Sequence, residues 1–147
     1  MTPKERARKS ADAMWSDDRA SGWFGMELLE VDEGTAMMAL TVQSHHVNGN
    51  NICRGGVTFS LADSAFAVAC NSRNQASIAQ QNTISYIAPT RLGDRLTATA
   101  CEVRLSGRSS GITDVRVVNH DRQTIAEFRG ASRAINGQLF SEEDTDT

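Results

Sequence analysis

The sequence predicts an α+β fold in which an antiparallel sheet curves around one long central helix, with a short helix at the N-terminus. Three observations carry this. The segment Gly55 to Asn71 is apolar on almost every side, so it must be covered nearly all round. Strand-like segments follow it in a row, joined by short turns, which favours antiparallel pairing. The last of them has small residues on one face, Gly130, Ser132 and Ala134, which would let the helix approach closely.

The elements read in order as follows. Residues 3 to about 20 carry many helix formers, with Ala11, Met14 and Trp15 at i, i+3, i+4 spacing, and predict one amphipathic helix. Phe24 to Val31 reads as a strand, and Asp32-Glu33-Gly34 as a turn. In Thr35 to Val42, Ala36, Met38, Leu40 and Val42 share a face, which predicts a second strand. A polar loop, Gln43 to Asn51, leads to Gly55-Gly56 and the helix, where Phe59, Ala62, Phe66 and Ala69 recur at three- and four-residue steps. Asn82 to Ala88 is a strand stopped by Pro89. Leu96 to Leu105 sets Cys101, Val103 and Leu105 against Glu102 and Arg104. Ile112 to Val118 sets Thr113, Val115 and Val117 against Asp114 and Arg116. Thr124 to Ile135 puts Ala126, Phe128, Gly130, Ser132 and Ala134 inward. The 147 residues form a single domain with its core at about residues 10–137, and the acidic tail Ser141 to Thr147 is expected to fray.

Composition excludes several classes. Hydrophobic residues are 39% and charged residues 22%, a globular balance. Net charge is -3 and there is no basic run, which argues against a nucleic-acid partner. The longest apolar run, Ala65 to Cys70, is far too short to span a membrane. The N-terminal segment lacks the apolar stretch of a secretory signal. Three widely spaced cysteines, Cys53, Cys70 and Cys101, fit reduced thiols in a cytoplasmic setting. No metal site is expected: His45 and His46 are adjacent and would face opposite ways on an extended chain, and His120 reads as a turn residue.

Asp63 is the one formal charge between Arg54 and Arg73. Its helical neighbours are Phe59, Ser60, Phe66 and Ala67, not a solvated face. A carboxylate in such a place needs a partner or a task, and it can serve as nucleophile or general base. Gly55 and Gly56 open the helix, where N–H groups lack intrahelical partners and the dipole is positive. Such N–H groups suit a carbonyl oxygen that gains charge during acyl transfer, although a glycine pair can also be a plain hinge. Gly55 and Asp63 stand eight positions apart (63 − 55), about 12 Å along a helix. One copy of the helix cannot easily bring both to one reacting group. Two antiparallel copies in a symmetric dimer could, giving two composite sites. Asn48 has an amide that could orient a water or a carboxylate; an ordinary Asn-Gly turn is the alternative.

These residues fall into a longer pattern. N-G-x-x-x-C-x-G-G-x-x-F-S-L-A-D-x-A-F-A-x-A-C-N-S at residues 48–72, with T-I-S-Y-I-A-P-T-R-L-G-D-R-L-T-A-T-A and F-R-G-A-S-R-A-I further on, resembles the hotdog-fold thioesterases, specifically the phenylacetic acid degradation PaaI group. The resemblance covers about residues 10–137. It implies a hotdog fold, homodimers commonly paired into homotetramers, and hydrolysis of acyl-CoA thioesters with aryl-acetyl groups such as phenylacetyl or hydroxyphenylacetyl. Coenzyme A is then part of the substrate, and no cofactor is required. By position, Asp63 matches the family's catalytic carboxylate, Gly55 the glycine whose N–H polarises the thioester carbonyl, and Asn48 the asparagine near the attacking water. The family also draws Asp and Gly from opposite chains.

Gly56, Arg54 and Ser64 border these positions and are expected to contact substrate. Relatives often carry His where this chain has Arg54, and a guanidinium is no base at neutral pH. Arg54 would pair with Asp63, meet a phosphate or point away. In some relatives a hydroxyl on the strand after the helix assists; Ala79, Gln80 and Gln81 occupy that neighbourhood here, and no such role is assigned. Arg108 and Arg129 are the expected partners of the coenzyme A phosphates, with Arg91 and Arg95 behind them. Three other readings compete: an acyl-thioester dehydratase, which would want a histidine in the site; a non-catalytic acyl-CoA-binding module; and an enzyme using Cys53 as nucleophile.

Overall fold

The computed structural model describes residues 1–107 and 109–142. The chain begins with two helices where the sequence predicts one. Helix α1, Pro3–Trp15, is capped by Thr2, whose hydroxyl accepts the Glu5 N–H at 3.1 Å. It buries Ala7 and Ala11, with Met14 and Trp15 packed against the core. A break at residues 16–18 follows because Asp18 caps a new helix, α2, Arg19–Phe24, by accepting from the Ser21 N–H at 2.9 Å. Gly25, at φ +75°, closes α2 in the left-handed conformation. Phe24 is therefore helical, and the first strand, β1, spans only Glu27–Asp32.

Strand β2, Thr35–Thr41, buries Ala36, Met38 and Leu40, with Val42 just beyond it. His45 and His46 do not lie on extended chain. They sit in a 3-10 turn, Ser44–His46, with ring centroids 4.1 Å apart, because the Gln43 N–H donates to Nδ1 of His46 and curls the loop. Helix α3 spans Gly55–Cys70. Strands β3 (Ser77–Tyr86), β4 (Arg95–Ser106), β5 (Ser110–Val118) and β6 (Thr124–Ala134) complete one antiparallel sheet of order β1-β2-β4-β5-β6-β3. β3 starts five residues earlier than the sequence suggests and forms one edge of the sheet, where among the described strands it pairs with β6 alone.

Helix α3 packs against all six strands, so the sheet curls around it. Its inner side, including Leu61, Ala62, Ala65, Phe66 and Ala69, is 0–1% exposed. Gly130 of β6 makes room for it: a Cβ there would lie 2.6 Å from the Phe66 ring. The small-residue face of β6 thus does what the sequence suggests. β4 differs from expectation. Cys101 and Val103 are exposed, while Glu102 turns inward and accepts from Arg73 at 2.6 Å; a β-bulge at Val103 then breaks the alternation, so Leu105, paired with Gly111, falls on the same side as Glu102 and lines a cavity with it. Arg73, just past α3, also pairs with Glu33, so a cation at the helix end draws that carboxylate in. Of the acidic tail, Ser141 and Glu142 are described; Glu142 is held by Arg6 and Asn74, and residues 143–147 lie outside the described residues. No helix among the described residues is long and apolar enough to cross a membrane.

The sheet does not close over α3. Phe59, Ser60, Asp63, Ser64, Ala67 and Cys70 are only half-buried and Gly56 is exposed, a stripe at three- and four-residue steps along one side of the helix. Asn82 and Tyr86 tie this side to β3, the edge strand, most of whose residues are exposed.

Candidate active site

Asp63 lies in the middle of that stripe. Among the described residues its side chain makes one hydrogen bond: Nδ2 of Asn82 donates to Oδ1 at 3.0 Å. Burial pushes the carboxyl above the ordinary aspartate range, and the Asn82 bond pulls it part of the way back. No cation pairs with it among the described residues. A half-buried carboxylate with one neutral donor is a better base than a salt-bridged one, because nothing else competes for its lone pairs.

The other end of the stripe is the N-terminus of α3. Among the described residues, the N–H groups of Gly55 and Gly56 donate to no protein acceptor, and no side chain caps the helix. Two donors and the positive end of the helix therefore face outward. Tyr86 of β3 fixes this end: its hydroxyl donates to the Gly55 carbonyl at 2.9 Å, and its ring lies where a Cβ on residue 55 would sit. A cavity of about 370 Å³ opens here, lined by Cys53, Gly55, Thr58, Tyr86, Ile87 and Pro89 among others. The far end of α3 borders a second cavity of about 310 Å³, lined by Cys70, Arg73, Glu102 and Ser132 among others.

The remaining expected residues fall as follows. Gly56 is exposed beside Gly55, and Ser64 is half-buried beside Asp63. Arg54 is the exposed residue just before α3; it forms none of the ion pairs among the described residues, so it does not meet Asp63 of its own chain. Asn48 is exposed, and its oxygen accepts the N–H groups of Asn50 at 2.9 Å and Ile52 at 3.2 Å. The turn therefore uses the oxygen and leaves the amide N–H groups outward. Arg129 grips Asp114 in a two-pronged pair at 2.6 and 2.9 Å on the outer face. Arg95 is paired with Glu27 at 2.6 Å. Arg108 lies outside the described residues. Cys53 is buried, and burial pushes its thiol up, the opposite of what a nucleophile needs.

Two contacting residues are absent from the sequence-based site, Asn82 and Tyr86. Both lie at even spacing on β3, with Ile84 between them in the same register. The legible signal is a polar residue at an inward position of a strand facing an apolar helix.

Known proteins resemble this chain closely. The family model described as "Thioesterase superfamily" matches residues 50–126. The acyl-coenzyme A thioesterase PaaI of Escherichia coli (strain K12) is 42% identical over 137 residues, covering 93% of this chain and 97% of the relative. The solved structure of the E. coli PaaI protein from the phenylacetic acid degradation operon superposes with a TM-score of 0.90 at 40% identity, covering 93% of this chain and 99% of that one. A mutant of the phenylacetic acid degradation protein PaaI from Thermus thermophilus superposes with a TM-score of 0.76 at 32% identity, covering 80% and 100%.

Proposed function

The chain belongs to the thioesterase superfamily and has its hotdog fold, and on that premise we propose that it is an acyl-CoA thioesterase cleaving aryl-acetyl-CoA thioesters to free acid and coenzyme A. The observation that carries the reading is Asp63, a half-buried carboxylate with one neutral partner, on the side of the central helix that the sheet leaves open. The thioester carbonyl sits at the Gly55 N–H, where developing negative charge meets a donor and the helix dipole. Asn48 contributes amide N–H groups near the reactants. The named aryl-acetyl class follows the PaaI relatives. It also suits Phe59, one turn before Asp63 on the open stripe, which packs edge-on against Phe128 with ring centroids 5.6 Å apart.

The site is completed by a second copy. Gly55 and Asp63 of one helix are about 12 Å apart, too far to share a reacting group. The open stripe of α3 runs beside the unpaired edge of β3, so a two-fold partner laid there would cover apolar surface and pair the edge at once. Gly55 of one copy then faces Asp63 of the other, and such dimers pair into tetramers. The coenzyme A phosphates fall to Arg129, Arg54 and Arg108, with Arg129 leaving Asp114 to receive one. Free cysteines suit a cytoplasmic setting.

The test is thiol release from a panel of acyl-CoAs by the parent, Asp63→Ala and Asp63→Asn. The parent cleaves aryl-acetyl-CoA, and both variants lose at least ~10²-fold in turnover, the scale of a lost acid–base group. Variants as active as the parent would remove Asp63 from the chemistry. Binding of several acyl-CoAs without cleavage would favour the non-catalytic binding module.

A further inference from the structure

The loop from Gln43 to Arg54 carries Asn48 near its tip and delivers the chain to Gly55. It folds back on one residue, His46. The His46 carbonyl accepts the Arg54 N–H at 3.0 Å and so holds the residue directly before the helix. Beside it Val47 and Cys53 form an antiparallel bridge, and the Asn48 N–H donates to the Ile52 carbonyl at 2.9 Å. The two limbs of the loop are thus registered against each other from His46 outward.

The His46 ring fixes the near limb. It is 0% exposed, and the Gln43 N–H donates to its Nδ1 at 3.0 Å. A backbone N–H can only donate, so Nδ1 keeps its lone pair and the proton of the neutral ring sits on Nε2. Nε2 is buried with no partner in bonding geometry among the described residues. A second proton on the ring must therefore go to Nδ1. That turns the acceptor of the Gln43 N–H into a second donor facing it, and the bond cannot survive.

We propose that His46 is a positioning residue for the reaction: its neutral ring clasps the loop that holds Asn48 and the Gly55 N–H, and a proton on Nδ1 releases that loop. This rests on the thioesterase reading above. Burial, and then the neighbouring His45 with its ring centroid 4.1 Å away, hold His46 below the ordinary histidine value, while the Phe24 carbonyl acts the other way. The rings that α2 lays against it, Trp23 and Phe24, carry no charge. A released ring regains the ordinary value of about 6.5. The clasped loop is therefore lost as pH falls below about 6.5, by at most about tenfold per pH unit, until the clasped ring itself takes the proton.

The parent, His46→Asn and His46→Leu are compared. Asparagine puts an amide oxygen where Nδ1 sits and accepts at any pH; leucine fills the space and accepts nothing. His45 and Asp63 are kept in all three, so their own titration affects all three alike. Hydrogen–deuterium exchange of residues 43–56, corrected for the intrinsic rate, reads the clasp without substrate, and thiol release from an aryl-acetyl-CoA reads its consequence. In the parent, protection around the Arg54 N–H falls below about pH 6.5; in His46→Asn that fall is absent, and in His46→Leu protection is low throughout. At neutral pH His46→Leu loses about 10–10²-fold in kcat with KM within about threefold of the parent, and His46→Asn recovers most of the loss. On acidification His46→Asn keeps a larger share of its neutral kcat than the parent does. Parental protection that is unchanged between about pH 7 and about pH 5 overturns the proposal. So does parental kcat in His46→Leu, or a His46→Asn no better than His46→Leu. A parent that cleaves no acyl-CoA overturns the thioesterase reading, and the role of His46 in the reaction with it. An active parent whose loop stays shut on acidification overturns this proposal alone.

Discussion

Gly55→Ala perturbs the proposed oxyanion end of the site through one contact. A Cβ at residue 55 would lie 2.9 Å from Cζ, 3.0 Å from the hydroxyl oxygen and 3.2 Å from Cε1 of Tyr86. Ordinary contact begins near 3.4 Å, so the ring or the helix start must move by about half an ångström. Tyr86 is 53% exposed, so its ring can swing away, but it then gives up the 2.9 Å bond to the Gly55 carbonyl. That bond is worth about 0.5–1.5 kcal/mol, and alanine returns up to about 1 kcal/mol through its helix propensity. Stability should therefore change by under about 1 kcal/mol. Activity should change far more, because the displaced peptide carries the proposed oxyanion donor. Loss of such a donor lowers turnover by about 10²–10³-fold, and a partial displacement by about 10–10²-fold.

The assay is kcat for thiol release, beside a urea titration. Tyr86→Ala in the Gly55→Ala background removes the clash and should recover part of the lost kcat. Parental kcat in Gly55→Ala, or a double variant slower than the single one, would refute the steric account of this end of the helix.

Other outcomes follow from the same contacts. Gly130→Ala drives a methyl to 2.6 Å from the buried Phe66 ring and should destabilise by about 1–3 kcal/mol, about 2–4 °C in Tm for each kcal/mol; an unchanged melting curve would show that the helix can back away. Asn74→Ala removes the acceptor of the Leu139 and Phe140 N–H groups and the donor to the Phe140 carbonyl, and should cost about 1–3 kcal/mol and expose the C-terminal segment to protease; equal proteolysis rates would contradict it. Asp63→Asn should be dead yet no less stable than the parent at neutral pH. The folded carboxyl is raised, so its charged form opposes folding above the folded value. That penalty fades as pH falls through the folded value and is gone below the ordinary aspartate value of about 4, so the gain in Tm should shrink over the same window. A gain that grew on acidification would reverse the sign of the burial effect.

Much of this molecule is legible in the chain itself, and what is not has a common cause. The apolar face of α3, the alternation in β2, β5 and β6 and the close approach at Gly130 are local patterns that tertiary structure leaves intact. Periodicity does not say which face of β4 is inner, and it misses the bulge at Val103 that moves Leu105 to the side of Glu102. Arg73, 29 positions from Glu102, decides the inner face. The break in the N-terminal helix depends on Asp18 choosing to cap rather than continue, and the histidine pair on a loop hydrogen bond. Asp63 stands out by its lack of charged neighbours in sequence, but its partner Asn82 is 19 positions away and becomes visible only when β3 pairs with β6 at the sheet edge. Asn48 is legible as a turn, and the structure uses its oxygen for that turn.

The central claim is that Asp63 and Gly55 act on one thioester from two copies of the chain. Asp63→Asn and Gly55→Ala, each impaired alone, are unfolded together, refolded at equal concentration and assayed for thiol release from an aryl-acetyl-CoA. Random pairing makes half the dimers mixed, and each mixed dimer holds one intact composite site of two. Activity should rise to about a quarter of the parent's. A mixture no more active than the mean of its two components would contradict the shared site.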